Sequence, residues 1–199
     1  MTTHVPDGSA ATRHVGARVL LDAGTIAKTL SRIAHELIER SASLDDVVLV
    51  GIHTRGVPLA LRLQRLVQER SGVEVPVGSL DITFHRDDNH VRDAEPDRPV
   101  VRATEIPLPL EDRTVVLVDD VLYTGRTVRA GIDALLEFGR PARIQLAVLV
   151  DRGHRELPIR PDYVGKNLPT SHSERIQVQL VEVDGDDCVL LQRQAAGDV

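Results

Sequence analysis

Asp119 and Asp120 follow the apolar run Val115, Val116, Leu117 and Val118 without a break. Such a run predicts a buried strand that delivers two carboxylates to the edge of a sheet. Val121, Leu122 and Tyr123 come next, then Thr124, Gly125, Arg126 and Thr127, where a helix is expected to start. Adjacent carboxylates repel, so their placement calls for a cation or for hydroxyl donors, and a ribose diol with Mg²⁺ supplies both. Gly125 lets the backbone approach an anion, Thr124 and Thr127 add hydroxyls, and a helix N-terminus holds phosphate. The ligand suited to both halves is a phosphorylated ribose. Taken alone, the acids read better as a helix-capping residue and a solvated neighbour; the attached turn reverses that preference. The turn lacks the Gly-Lys-Ser/Thr ending of a nucleotide-triphosphate loop and has one glycine where a dinucleotide fingerprint needs three.

A second loop, Gly51 to Gly56, carries Thr54 and Arg55 at the end of another apolar run. The bland alternative is an ordinary strand-to-helix turn with an exposed Arg. Arg also grips phosphate oxygens in bidentate fashion. Two anion-suited loops at two strand ends, with acids between them, suggest a sugar bearing phosphate at one end and pyrophosphate at the other.

The elements that must position these loops alternate. Asp22 is suited to cap a helix to about Arg40 whose apolar stripe is Ile26, Leu30, Ile33, Leu37 and Ile38. Val47–Val50 predicts a strand, Val57 to about Glu69 a helix stopped by Gly72, and Val75–Phe84 a strand. After the strand 115–119, a helix is expected from Arg126 to about Phe138, ended by Gly139 and Pro141, then a strand Ile144–Val150. Residues 151–175 read as a polar excursion. Ile176–Val183 and Cys188–Leu191 read as a hairpin turning at Asp184, Gly185 and Asp186. Alternating strands and helices imply an α/β fold with a mainly parallel sheet flanked by helices, which binds ligands at the carboxyl ends of its strands. Residues 1–17 are expected to be a disordered tail and 18–195 a single domain. Residues 85–112, rich in Asp, Arg and Pro, are expected to be a flexible ribbon over the site.

Composition narrows the function. The chain of 199 residues has two Phe, two Tyr and no Trp, which leaves little for stacking single-stranded bases. Its formal charge of −6 argues against general nucleic-acid binding, so an RNA contact would need a local basic patch. The single Cys188 excludes an internal disulfide framework. With no apolar signal core and no membrane-length apolar run, the expected location is cytoplasmic.

The stretch Val116–Thr127 resembles the signature by which type I phosphoribosyltransferases bind 5-phosphoribosyl 1-pyrophosphate (PRPP). More narrowly, Ser31–Arg40, Asp81–Asp88, Asp119–Ala130, Gln145–Arg160 and Tyr163–Ser171 resemble the PyrR family of pyrimidine-operon regulators and uracil phosphoribosyltransferases. The similarity runs from about Asp22 to about Val189. It implies the type I phosphoribosyltransferase fold and the conversion of uracil and PRPP to UMP and pyrophosphate. It makes Asp119, Asp120 and Arg55 the residues expected to carry catalysis. Both acids would hold the ribose hydroxyls, directly or through Mg²⁺. Thr124, Gly125, Arg126 and Thr127 would cradle the 5′-phosphate, with Val121, Leu122 and Tyr123 beside the substrate. Thr54 and Arg55 would face the pyrophosphate, in a loop that often holds a cis peptide. Arg86 would reach the pyrophosphate from the ribbon, and Arg152 would lie near uracil. No residue is singled out as a general base. The family often has Lys where this chain has His53, which puts one positive charge near the pyrophosphate in doubt.

On the first predicted helix, Lys28, Ser31, Arg32 and His35 share a face offset from the apolar stripe. From spacing alone this is a solvated face. The resemblance implies instead a surface for a hairpin in pyrimidine-operon leader mRNA, joined by His154, Arg155, Arg160 and Lys166, with UMP or UTP favouring and PRPP opposing RNA binding. It also implies a homodimer or larger even assembly. A phosphoribosyltransferase for a purine or for orotate, with no RNA role, is the alternative.

Overall fold

The structure, a computed structural model, describes residues 17–85 and 103–193. Its centre is a five-stranded sheet in the order β3-β2-β4-β5-β6, every neighbouring pair parallel. The strands are β2 (Val47–Ile52), β3 (Val77–Leu80), β4 (Thr114–Leu122), β5 (Arg143–Asp151) and β6 (Tyr163–Asn167). All six residues of β2 are buried, as expected of a parallel strand covered on both faces.

Alternate side chains serve the two faces. Val47, Leu49, Val116, Val118, Ala147 and Leu149 pack under α1 (Ala23–Arg40) and α2 (Gly56–Ser71). Val48, Val50, Ile52, Val115, Leu117, Leu146 and Val148 pack under α3 (Arg126–Leu136). Each Val, Leu or Ile among them, moved from water to the core, contributes about 1.5–3 kcal/mol. A second, antiparallel sheet of three strands joins β1 (Ala17–Asp22), β8 (Cys188–Arg193) and β7 (Glu174–Gln179) in the order β1-β8-β7. A one-turn helix α4 (Val181–Asp184) links β7 to β8. Ile176, Val178, Leu180 and Val189 seat this small sheet on the α1 side of the core.

The expected architecture holds, with local differences. Asp22 caps α1, its carboxylate accepting from the Thr25 N–H at 2.7 Å. Strand β4 does not stop at Asp119 but runs through both acids to Leu122, still paired with β5. Strand β3 is shorter than expected: four residues, Val77–Leu80, replace Val75–Phe84, and past it the Asp81 carboxylate binds Thr83 in a turn. The excursion 151–175 contains β6, the fifth strand of the main sheet. The terminal hairpin is antiparallel as expected, but α4 occupies its turn. Ala17, placed in the tail on sequence grounds, opens β1 opposite Gln192. Within the segment read as a ribbon, Glu105 bridges to Ser79 and Leu110 is fully buried. Residues 1–16 of the expected tail, Arg86 and most of the ribbon lie outside the described residues.

Candidate active site

The chain leaves β2 for β3 on one side and then crosses to β4 on the other. The crevice between β2 and β4 is therefore where the strand order reverses, the place where open α/β sheets bind ligands. A cleft of about 820 Å³ opens at this point. It is lined by His53, Thr54 and Arg55 after β2, by Asp119 to Val128 from β4 into α3, by Arg152 and Glu156 after β5, and by Arg175 to Val178 of β7.

Pairing explains why the acids are reachable. β2 accompanies β4 only as far as the Gly51–Val118 pair, whereas β5 follows β4 to Leu122. From Asp119 onward the β2 side of β4 is open, and the loop His53–Arg55 turns across it. That loop lies close because Gly56 has no side chain: a Cβ there would sit 2.2 Å from the Val118 carbonyl oxygen. The peptide between His53 and Thr54 is cis. Arg55 donates from Nε and Nη2 to the two carboxylate oxygens of Asp184, at 3.0 and 2.6 Å.

Asp119 is almost fully buried, and its Oδ1 accepts from the Asp120 N–H at 2.9 Å. Asp120 Oδ1 accepts in turn from the Val121 N–H at 2.7 Å. Burial pushes the Asp120 carboxyl above its ordinary range; the charge of Arg55 and these hydrogen bonds pull the other way. Among the described residues no group of three or more His, Cys, Asp or Glu side chains is placed to hold a metal ion. Two carboxylates at a cleft do suit a hard cation that takes its remaining ligands from substrate and water.

The third side of the cleft is built from backbone. Gly125, at φ 95°, turns the chain into α3; as a glycine it caps no helical N–H, and the Thr124 hydroxyl accepts from the Arg126 N–H at 3.3 Å. First-turn N–H groups have no intrahelical acceptor, and Arg126, Thr127 and Val128 line the cleft at that end. The loop after β5 supports this turn from outside. The N–H groups of Glu156 and Leu157 donate to the Thr124 carbonyl at 3.0 and 3.1 Å. Glu156 pairs with Arg126 at 2.7 Å.

Arg152 is buried and lies 4.1 Å from the Tyr123 ring centroid. It donates to the Thr170 hydroxyl and to the carbonyls of Ser171 and Glu174, tying the end of β5 to the start of β7. Burial lowers its pKa.

The eight residues expected at an RNA surface fall in two places. Lys28 and His35 are exposed on α1, with His35 3.2 Å from Glu39. Ser31 accepts from Arg70 at 2.6 Å. Arg32 holds the Val164 and Gly165 carbonyls at 2.8 and 2.6 Å, drawing α1 to β6, on which Lys166 is exposed. His154, Arg155 and Arg160 instead sit in the loop behind the turn at Thr124 and Gly125. His154 contacts Tyr123 edge-on and His172 at a centroid distance of 4.0 Å. Arg155 is turned inward onto the Tyr123, Gly153 and Ile159 carbonyls and the Asp151 carboxylate, rather than out to solvent. Arg160 is exposed.

Sequence reasoning missed Glu156 and the β7 residues Arg175 to Val178. The alternation of Arg175, Ile176, Gln177 and Val178 announced a strand with one polar face, but not that this face would reach the cleft.

Residues 17–183 match the family described as the phosphoribosyl transferase domain. The chain is 59% identical over 183 residues to the bifunctional protein PyrR of Roseiflexus sp. (strain RS-1), covering 92% of this chain and 98% of that protein. It is 56% identical over 173 residues to the bifunctional protein PyrR of Bacillus subtilis (strain 168), covering 87% and 95%. A hypoxanthine phosphoribosyltransferase from Staphylococcus aureus shares its fold at a TM-score of 0.65 and 17% identity, over 89% of this chain and 92% of that one. The chain belongs to the phosphoribosyl transferase domain family and, within it, to the PyrR proteins.

Proposed function

We propose that this protein transfers the phosphoribosyl group of PRPP to uracil, yielding UMP and pyrophosphate, and that it also regulates pyrimidine genes by binding their leader mRNA. The observation that carries the first part is the arrangement around the β2–β4 crevice: a backbone-built phosphate turn on one side, an Arg-bearing loop on the other, and two acids between them.

In this reading Asp119 and Asp120 hold the ribose hydroxyls and orient C1 toward the base. The first turn of α3, with Thr124 and Thr127, fixes the 5′-phosphate. Arg55 meets the leaving pyrophosphate. Asp119 and Asp120 would hold Mg²⁺, directly or through water, and it would supply charge neutralisation for the departing group. The chain's own contribution is positioning and electrostatic stabilisation of a ribosyl cation-like transition state. Arg152 and Tyr123, joined with β7, shape the end of the cleft where uracil would sit.

For RNA, the exposed Lys28, His35 and Lys166 on the α1–β6 side support phosphate and base contacts. Arg32 serves there by holding α1 on β6. Arg160 and His154 extend the surface on the pocket side. UMP or UTP in the cleft would favour RNA binding and PRPP would oppose it. The protein would act as a homodimer or larger even assembly in the cytoplasm.

The test is direct. Uracil and PRPP with Mg²⁺ should give UMP by chromatography, while hypoxanthine and orotate should not react. Conversion of hypoxanthine or orotate in place of uracil would reject the assignment. A gel shift with the protein's own pyrimidine-operon leader should tighten with UMP; absence of a shift in a preparation that makes UMP would remove the regulatory half.

A further inference from the structure

Arg55 and Arg62 stand seven residues apart at the start of α2, two helical turns, and therefore on one face of that helix. Both grip the same short acidic segment, the α4 turn. Arg62 pairs with Glu182 through Nε and Nη2 at 2.8 and 2.6 Å, and with Asp187 through Nη1 and Nη2 at 2.9 and 2.7 Å. Asp187 also caps the turn by accepting from the Val181 N–H at 2.9 Å. Asp184 is held in turn: its Oδ2 accepts from the Leu180 N–H at 2.9 Å, and its own N–H donates to the Leu180 carbonyl at 2.7 Å. Its carboxylate, with only 17% of the side chain exposed, faces Arg55 in a bidentate pair. That pair engages the Nε and one Nη2 hydrogen of the guanidinium, leaving its far edge as the one available to the cleft that Arg55 lines.

We propose that Asp184 is a positioning residue for Arg55. The small sheet, clamped to α2 by Arg62, holds Asp184 in place. Asp184 fixes the plane of the Arg55 guanidinium, and its free edge is presented toward a diphosphate. This rests on the reading that Arg55 meets the pyrophosphate of PRPP. A flexible Arg at a loop must be ordered when the anion binds; a fork already locked by a carboxylate avoids that entropy cost.

The experiment is steady-state kinetics on Asp184→Asn, Arg55→Ala and the double variant, with melting temperatures alongside. Asp184→Asn keeps the side-chain shape and removes the charge. The KM for PRPP should rise about tenfold, inside the roughly hundredfold that a 1 Å misplacement can cost. The KM for uracil should stay within about twofold, since Asp184 is not on that side of the cleft. In the Arg55→Ala background, adding Asp184→Asn should change nothing further. A fall in the PRPP KM would make Asp184 a competitor for Arg55 and overturn the proposal. So would a lower melting temperature with an unchanged PRPP KM, which would leave Asp184 a packing role alone. If Arg55→Ala itself leaves the PRPP KM unchanged, the reading of Arg55 as the pyrophosphate contact fails; if Arg55→Ala raises it and Asp184→Asn does not, only the positioning proposal fails.

Discussion

The two sides of the cleft are built from different materials. The turn proposed to hold phosphate is mostly backbone: a glycine at φ 95° at the helix start and a supporting loop bonded to the Thr124 carbonyl. The Arg55 loop depends on side chains, with its guanidinium held by an acid 129 residues away in sequence. Backbone donors keep their direction through most substitutions, because every residue but proline carries the same N–H. A side-chain fork keeps its direction only while its partner stays in place. One side therefore presents backbone donors, and the other a side-chain fork whose direction depends on a distant partner.

The acids between the two sides should be the most sensitive point. Asp120→Asn keeps the shape and removes the charge, and transfer to uracil should fall about a hundredfold or more in kcat/KM. Near-normal turnover would remove the acids from the site. Gly56→Ala tests the side-chain half through its backbone seat. A Cβ 2.2 Å from the Val118 oxygen must push the loop away from β4, so the PRPP KM and the melting temperature should both suffer. Gly125→Ala tests the other half: the positive φ costs about 1–2 kcal/mol for a residue with a Cβ, and Leu157 and Ile159 lie at 3.4–3.5 Å. Thr127→Val, by contrast, removes a hydroxyl but no backbone donor and should cost less than Gly125→Ala in PRPP KM. The reverse order would mean that side chains, not the backbone, hold the phosphate.

Acid should separate the regions as well. For Asp184, burial raises the pKa, but the Arg55 and Leu180 hydrogen bonds and the Arg55 charge together lower it more. Asp187 behaves likewise with Arg62 and the Val181 N–H. Both carboxyls end below their ordinary 3.8. A depressed folded pKa contributes stability that is present above the unfolded value and is lost as pH falls through the folded one. Hydrogen exchange at low pH should therefore show the small sheet and α4 loosening below about pH 3.8, while the turn at Thr124, whose carbonyl is held by the Glu156 and Leu157 N–H groups, persists longer. The smallest effect is expected for RNA: Lys28→Gln or Lys166→Gln should each reduce the salt dependence of binding by about one ion and leave UMP synthesis unchanged.

Much of this was legible before any coordinates. The helical stripe of α1 and its Asp22 cap, the continuous apolar runs of β2, β4 and β5, and the two anion loops are local patterns, and local patterns survive folding. β6 was not legible. It is a five-residue edge strand in which only Tyr163 and Gly165 are buried, so neither alternation nor an apolar run marks it. β1 was hidden because its pairing partner, β8, lies at the other end of the chain. The polar face of β7 gave no sign of its destination for the same reason.

The local sequence carries the order of elements and places at strand ends the residue types that suit phosphate and ribose. Only the tertiary structure decided which cations face outward. Arg55 is paired with Asp184, Arg32 with carbonyls of β6, and Arg155 with four groups around the phosphate turn. The physical reason is that a charge is defined by its neighbours, and these neighbours come from segments that meet only when the chain has folded.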